Sequence, residues 1–246
     1  MSSIEQLQGQ LKSLRLTGLA PHIATLLTQA EDNELSYLQF ADSLFRHELT
    51  TRNTRRIETN RRKSGIAVEK HLEEFDYRHQ AGITKRQVNQ LLDFSFIDNR
   101  SNLIFIGPPG VGKTHLATGI ALKAIQAGYK VLFNTALGLV ETLEIAELKG
   151  ELKKKLTQIS KYDLLIIDEL GYLPMSKQSN HNLFQLVNTL YEYRSIILTT
   201  NKEFTQWGEF FTDENVAVPI VDRLIHHSKI FMLGGESYRL RQKNMT

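Results

Sequence analysis

Eight consecutive residues, Gly107-Pro108-Pro109-Gly110-Val111-Gly112-Lys113-Thr114, constrain this chain more than any other stretch. They follow the pattern G-x-x-x-x-G-K-T, and both flanks agree with it. The apolar run Leu103-Ile104-Phe105-Ile106 enters the first glycine, and Leu116, Ile120, Ala121 and Ala124 follow at helical spacing. A strand, a glycine-rich turn and a helix N-terminus in that order make an anion cradle. The glycines let successive backbone N–H groups converge, and the helix contributes the positive end of its dipole. Lys113 would reach the β- and γ-phosphates of a nucleotide, and the Thr114 hydroxyl would hold Mg²⁺. A Gly/Pro turn that merely happens to precede Lys-Thr is the competing explanation, and the strand before and helix after argue against it. The predicted ligand is a nucleoside triphosphate, bound by Gly107 through Thr114 with His115 next in line. The His115 ring is expected to pack at the helix start.

A second stretch supplies the chemistry. Asp163-Leu164-Leu165-Ile166-Ile167-Asp168-Glu169 is an aliphatic run ending in two carboxylates, and Asp168 lies 55 residues after Lys113. Buried parallel strands read as continuous aliphatics, and α/β sheets bind ligands at the C-terminal ends of their strands. Asp168 is therefore expected to hold Mg²⁺, directly or through water. Glu169 is expected to orient and deprotonate an attacking water. That pairing favours hydrolysis over transfer to a second substrate. Ser195-Ile196-Ile197-Leu198-Thr199-Thr200-Asn201 is a further buried run with a polar end.

The two parts of the chain differ in texture. Residues 1–85 contain no strand-like runs. Ile4, Leu7, Leu11 and Leu14 share one helix face behind a Ser2-Ser3-Ile4-Glu5 start, and Leu35, Leu38, Ala41, Phe45 and Leu49 mark a second amphipathic helix, with Gly65 the first breaker after it. Beyond about residue 100, short strands alternate with helices. Candidate strands are 103–106, 130–134, 163–167, 195–200 and 229–233. The pattern predicts an α/β domain over 86–246, with a mostly parallel sheet and helices on both faces, preceded by a small all-helical domain over 1–85. The chain has no cysteine, which fits a reducing compartment and excludes disulfides and thiolate zinc sites. Its eight histidines lack metal-site spacing, so no metal beyond Mg²⁺ is expected. Neither a membrane span nor a secretory signal is recognisable, and a cytoplasmic location is expected. Trp207 is expected to be a packing anchor.

Net charge is only +3, but its distribution is uneven. Residues 46–63 carry seven Arg/Lys against two Glu. At ~100° per residue, Arg52, Arg55, Arg56, Arg62 and Lys63 fall within an arc of about 120°. Such a stripe can neutralise several phosphates of double-stranded DNA, although a solvated helix face is the common explanation of a charge run. Lys149, Lys153, Lys154 and Lys155 form a second basic group. Neither group interleaves aromatics, which favours weakly sequence-selective contact with the DNA backbone. Arg223, in Val221-Asp222-Arg223-Leu224, has the planar fork suited to a finger that stabilises phosphoryl charge in a neighbouring subunit. Its spacing fits an ordinary surface arginine equally well.

Together, Gly107-Pro-Pro-Gly-Val-Gly-Lys-Thr-His-Leu-Ala117, Leu164-Leu-Ile-Ile-Asp-Glu-Leu-Gly171, Thr199-Thr-Asn201 and Gly235-Glu-Ser-Tyr-Arg239 resemble the IstB-like AAA+ proteins. The resemblance extends upstream through Leu72-Glu-Glu-Phe-Asp76 and covers nearly the whole chain. Members of that family are transposition helper ATPases of bacterial insertion sequences. The resemblance implies a P-loop AAA+ ATPase using ATP and Mg²⁺, assembled as a homo-oligomer on target DNA, which recruits or activates a transposase. It implies that Asn201 contacts the γ-phosphate or the water, that Arg223 is the trans-acting finger and that Arg239 is a second sensor. It also implies a helical insertion facing DNA near Lys149, Lys153 and Lys154. The Gly-Lys-Thr-His-Leu-Ala and Ser-Tyr-Arg stretches are shared with DnaC-like helicase loaders, so a replicative helicase loader is the alternative. A nucleotide-gated scaffold with a merely structural Glu169 is a third reading.

Overall fold

In the computed structural model the N-terminal segment forms helices α1 (Ser3–Ser13), α2 (Ile23–Asp32) and α3 (Tyr37–Lys63). The structure describes residues 3–80, 82–171, 176–211 and 214–238. The chain divides into two compact units, Met1–Thr59 and Asn60–Thr246. In the first unit the buried apolar residues are Leu19, Ala20 and Ile23, and the buried Glu48 sits among them as the polar exception. Its Oε2 accepts the Leu19 N–H at 2.8 Å and its Oε1 accepts Arg52 Nε at 2.6 Å. Arg52 also donates to the Arg15 carbonyl, and Arg55 donates to Thr17 Oγ1 at 2.8 Å. Two arginines expected on a DNA-facing stripe thus tie the α1–α2 connection to α3.

That polar lock sets the rotation of α3, and the result differs from the hydrophobic spacing. Leu38, Phe45 and Leu49, expected on the packed face, are 81%, 63% and 67% exposed. The inward face instead carries Phe40, Leu44, His47, Glu48 and Thr51, with His47 packed edge-on against His22 at 5.2 Å between ring centroids. A buried carboxylate must be met by donors, and the Leu19 N–H is available at only one helix rotation.

The second unit holds a five-stranded sheet, all parallel, in the order β2-β3-β4-β1-β5. Its strands are β1 (Asn102–Ile106), β2 (Val131–Thr135), β3 (Leu164–Leu170), β4 (Ser195–Thr200) and β5 (Ser228–Met232), all near the expected positions. Helices α4 (Lys85–Leu91) and α5 (Ser95–Asp98) precede β1, and α6 (Lys113–Gln126) follows it. Then come α7 (Ala136–Leu148), α8 (Leu152–Ile159), α9 (Lys177–Leu190), α10 (Trp207–Phe210) and α11 (Glu214–His226). Alternate strand residues Ile104, Ile106, Leu165, Ile167, Ile196 and Leu198 form one core with α7, α9, α10 and α11. Their neighbours Leu103, Phe105, Leu164, Ile166 and Ile197 are equally buried and point to the opposite face, the side of α6. Each such side chain removed from water contributes ~1.5–3 kcal/mol, which fixes the register of the central strands. Trp207, 1% exposed, packs in the first core and donates to the Lys202 carbonyl.

The sequence is expected to divide at 85/86, and the division into compact units falls at Thr59/Asn60, within α3, which groups residues 60–85 with the second unit. The Phe133 N–H on edge strand β2 donates to the Ser64 carbonyl at 2.7 Å, and the buried Leu72 packs beside Gly119 of α6. The all-helical expectation over 1–85 fails beyond Lys63: among the described residues between there and Lys85 the only helical pieces are the 3₁₀ turns Leu72–Glu74 and Tyr77–His79.

Candidate nucleotide-binding site

The glycine-rich turn hangs from the sheet by the Gly107 N–H, which donates to the Thr200 carbonyl at 3.2 Å. Gly110 and Gly112 hold φ of 84° and 98°, a left-handed conformation in which a side chain is strained, and a Cβ on Gly112 would meet Phe75 Cε2 at 2.5 Å. Helix α6 starts at Lys113, whose Nζ donates to the carbonyls of Gly107 (2.7 Å) and Pro108 (2.9 Å). His115 Nε2 lies 2.7 Å from the His71 carbonyl, which assigns its proton to that nitrogen, and the ring packs edge-on against Phe75. It also lines the cleft.

Below the loop, β3 and β4 form a hydroxyl–carboxylate cluster. The Asp168 side chain is buried, and its Oδ1 accepts the Thr114 hydroxyl at 2.9 Å and the Thr199 hydroxyl in a short bond. The pairing register passes from Ile167↔Leu198 to Leu170↔Thr200, so Asp168 and Glu169 both stand opposite Thr199. This one-residue bulge gives Glu169 a φ of 63°, which costs about 1–2 kcal/mol for a residue with a Cβ. Its N–H is secured on Thr199 Oγ1 at 2.9 Å. The bulge seats Asp168 against Thr114 while leaving the Glu169 side chain exposed in the cleft.

The cleft has a volume of about 750 Å³. Its lining includes Pro109 through His115, Glu169, Thr199, Thr200 and Asn201 on the phosphate side, and Lys70, Phe75, Arg78, Gln80 and Tyr238 from the flanking segments. Thr114 Oγ1 and Asp168 are hard oxygen donors within hydrogen-bonding distance of each other, a donor set that fits Mg²⁺. No group of three or more His, Cys, Asp or Glu able to hold a metal ion occurs among the described residues.

Arg223 sits elsewhere. Its Nη1 donates to the Pro219 carbonyl at 3.0 Å, its guanidinium lies 5.4 Å and 5.7 Å from the ring centres of Phe184 and Tyr191, and it shares a small separate pocket with Arg194 and His227. Arg239 lies outside the described residues. Of the basic residues, Arg56, Arg62 and Lys63 are exposed on α3, and Arg56 bonds Asn53 within its own helix. Lys149 is exposed in the turn after α7, and Lys153 and Lys154 are exposed on α8, where Lys154 pairs with Glu151 at 2.8 Å.

A 2-3-4-1-5 parallel sheet with a glycine-rich loop after β1 and an Asp-Glu pair on β3 defines the AAA+ P-loop class of the DnaA and DnaC type. The chain belongs to the IstB-like ATP binding protein family, whose model matches residues 9–246. It is 42% identical over 241 residues to the insertion sequence IS5376 ATP-binding protein of Geobacillus stearothermophilus, covering 98% of this chain and 96% of that one. Against the corresponding IS21 protein of Pseudomonas aeruginosa it is 41% identical over 240 residues, covering 98% and 91%. The crystal structure of the DnaC helicase loader superposes with a TM-score of 0.52 at 18% identity, over 67% of this chain and 96% of that one, a likeness of fold.

Four contributors to the site have no role assigned from the sequence. Thr199 looks like a strand residue before its polar end, Phe75 and Gln80 precede the sheet by some twenty-five residues, and Tyr238 follows the last strand. Only the fold gathers them around the loop.

Proposed function

We propose that this chain is an ATP-hydrolysing helper of insertion-sequence transposition that works on double-stranded DNA, together with further copies of itself and a transposase. The observation that carries the hydrolytic part is the shared bonding of Thr114, Asp168 and Thr199 beside a Glu169 side chain open to the cleft. The loop N–H groups bind the phosphates, and Lys113 turns from the Gly107 and Pro108 carbonyls to the β- and γ-oxygens. Thr114 and Asp168 would hold Mg²⁺, which would supply positive charge beside the phosphates. Glu169 orients a water and takes its proton, and Asn201, at the end of β4, bonds the γ-phosphate or that water. Arg223 points away from this work in its own subunit and completes a neighbour's site, and Arg239 acts as a second sensor.

The insertion-sequence names of the relatives support transposition as the setting. Duplex DNA is gripped through its phosphates by Arg56, Arg62 and Lys63 on α3 and by Lys149, Lys153 and Lys154 around α8. Arg52 and Arg55 contribute charge while bracing the α1–α2 connection. No helix among the described residues is long and apolar enough to cross a membrane. The test is DNA binding with purified protein alone. Duplex affinity should require ATP, need no helicase, and fall steeply with salt. ATP-dependent capture of a helicase without duplex binding would replace this reading with a loader.

A further inference from the structure

We infer that Gln80 is a positioning residue of the nucleotide site: its side-chain amide orients the Val111–Gly112 peptide of the phosphate loop and ties that loop to the segment after β5. The inference rests on the reading of the cleft as an ATP site. Gln80 is only 9% exposed, and both ends of its amide are engaged. Nε2 donates to the Val111 carbonyl at 2.8 Å, while Oε1 accepts the Gly82 and Gly234 N–H groups, each at 3.1 Å. One side chain therefore joins the loop, the approach to α4 and the C-terminal segment.

The consequence follows from peptide geometry. In a trans peptide the C=O and N–H of one plane point in opposite directions. Anchoring the Val111 carbonyl on Gln80 turns the Gly112 N–H away from Gln80, in the sense a phosphate oxygen needs. This plane is unusually free to turn over, because the residue after it is a glycine at φ 98°, for which either sign of φ is accessible. Turned over, it would present a carbonyl oxygen to an anion. Gln80 removes that alternative. The same amide also fixes where the C-terminal segment leaves β5, and the Tyr238 N–H returns to the Gly110 carbonyl at 3.1 Å. Loop and C-terminal segment are thus clamped at two points, so the set of the loop governs where Tyr238 enters the cleft.

Gln80→Glu separates positioning from simple loss of packing. The introduced carboxyl keeps an acceptor for Gly82 and Gly234, but it can donate to the Val111 carbonyl only while protonated. Buried beside a carbonyl, it will protonate above the ordinary carboxylate range. ATP affinity of the full chain, measured by equilibrium binding, should fall about tenfold or more near pH 8 relative to wild type. It should return to within about threefold of wild type near pH 5.5, while Gln80→Leu stays weak at both. Wild-type affinity in Gln80→Glu near pH 8, or an equal loss at both pH values, would overturn the inference alone. Failure of the wild-type chain to bind ATP would overturn the nucleotide reading as well. Both measurements on Gln80→Glu use one folded sample, so a fold defect in Gln80→Leu leaves the test intact.

Discussion

At Thr199 one hydroxyl braces both acidic residues of the site, donating to the buried Asp168 carboxylate and accepting the Glu169 backbone N–H. Thr199→Val removes both bonds with almost no change of shape. It leaves Asp168 short of a donor and frees the left-handed Glu169 from its anchor. Unmet buried polar groups cost ~1–3 kcal/mol each, so thermal melting should show a loss of that order. Turnover should fall further than ATP affinity, because Glu169 is displaced while the phosphate loop is untouched, and Thr199→Ser should recover most of both. A Thr199→Val chain with wild-type melting and turnover would remove the cluster from the account. The residue types at Gly107–Thr114, Asp168 and Glu169 were legible in sequence because anion binding and metal holding need them at fixed places along a strand–turn–helix. The bulge that puts two residues of β3 opposite one of β4 has no such spacing signature, and so the strained backbone of Glu169 and the role of Thr199 emerge only in three dimensions.

Among the elements, the central strands are legible in the sequence because a buried parallel strand must be aliphatic on both faces. Helix α3 is legible as a helix but not in its orientation. Its apolar stripe at Leu38, Phe45 and Leu49 gave the right helix and the wrong face, since one buried carboxylate outweighs several leucines in setting its rotation. Burial alone would raise the pKa of Glu48, but the bonds from Arg52 and the Leu19 N–H outweigh burial and hold it below its ordinary value of 4.5. A carboxyl with a depressed folded-state pKa stabilises above its unfolded value, and that contribution disappears as pH falls through the folded one. The helical unit should therefore lose stability on acidification below about pH 4.5, followed by circular dichroism melts. Glu48→Gln should lower stability at neutral pH by ~1–3 kcal/mol and flatten the acid dependence. An unchanged acid profile in Glu48→Gln would show that other carboxylates dominate it.

For the molecule as a whole, the sheet's 2-3-4-1-5 order brings the ends of β1, β3 and β4 side by side, so the loop, Asp168, Glu169 and Asn201 meet at one edge. Arg223 belongs to a different place in the fold, near the rings of Phe184 and Tyr191. The helices ending at Lys63 are legible in the sequence, but not that the chain leaves the α-helix there or that 60–85 group with the sheet, because helix periodicity says which face is apolar and not which unit covers it. The central claim is that this edge hydrolyses ATP with Glu169 as base. It is tested most directly by measuring ATP binding and phosphate release for the full-length wild type and Glu169→Gln side by side. Glu169→Gln should bind ATP within about threefold of wild type while its phosphate release falls by roughly 10²–10⁴. Phosphate release by Glu169→Gln at the wild-type rate would contradict it.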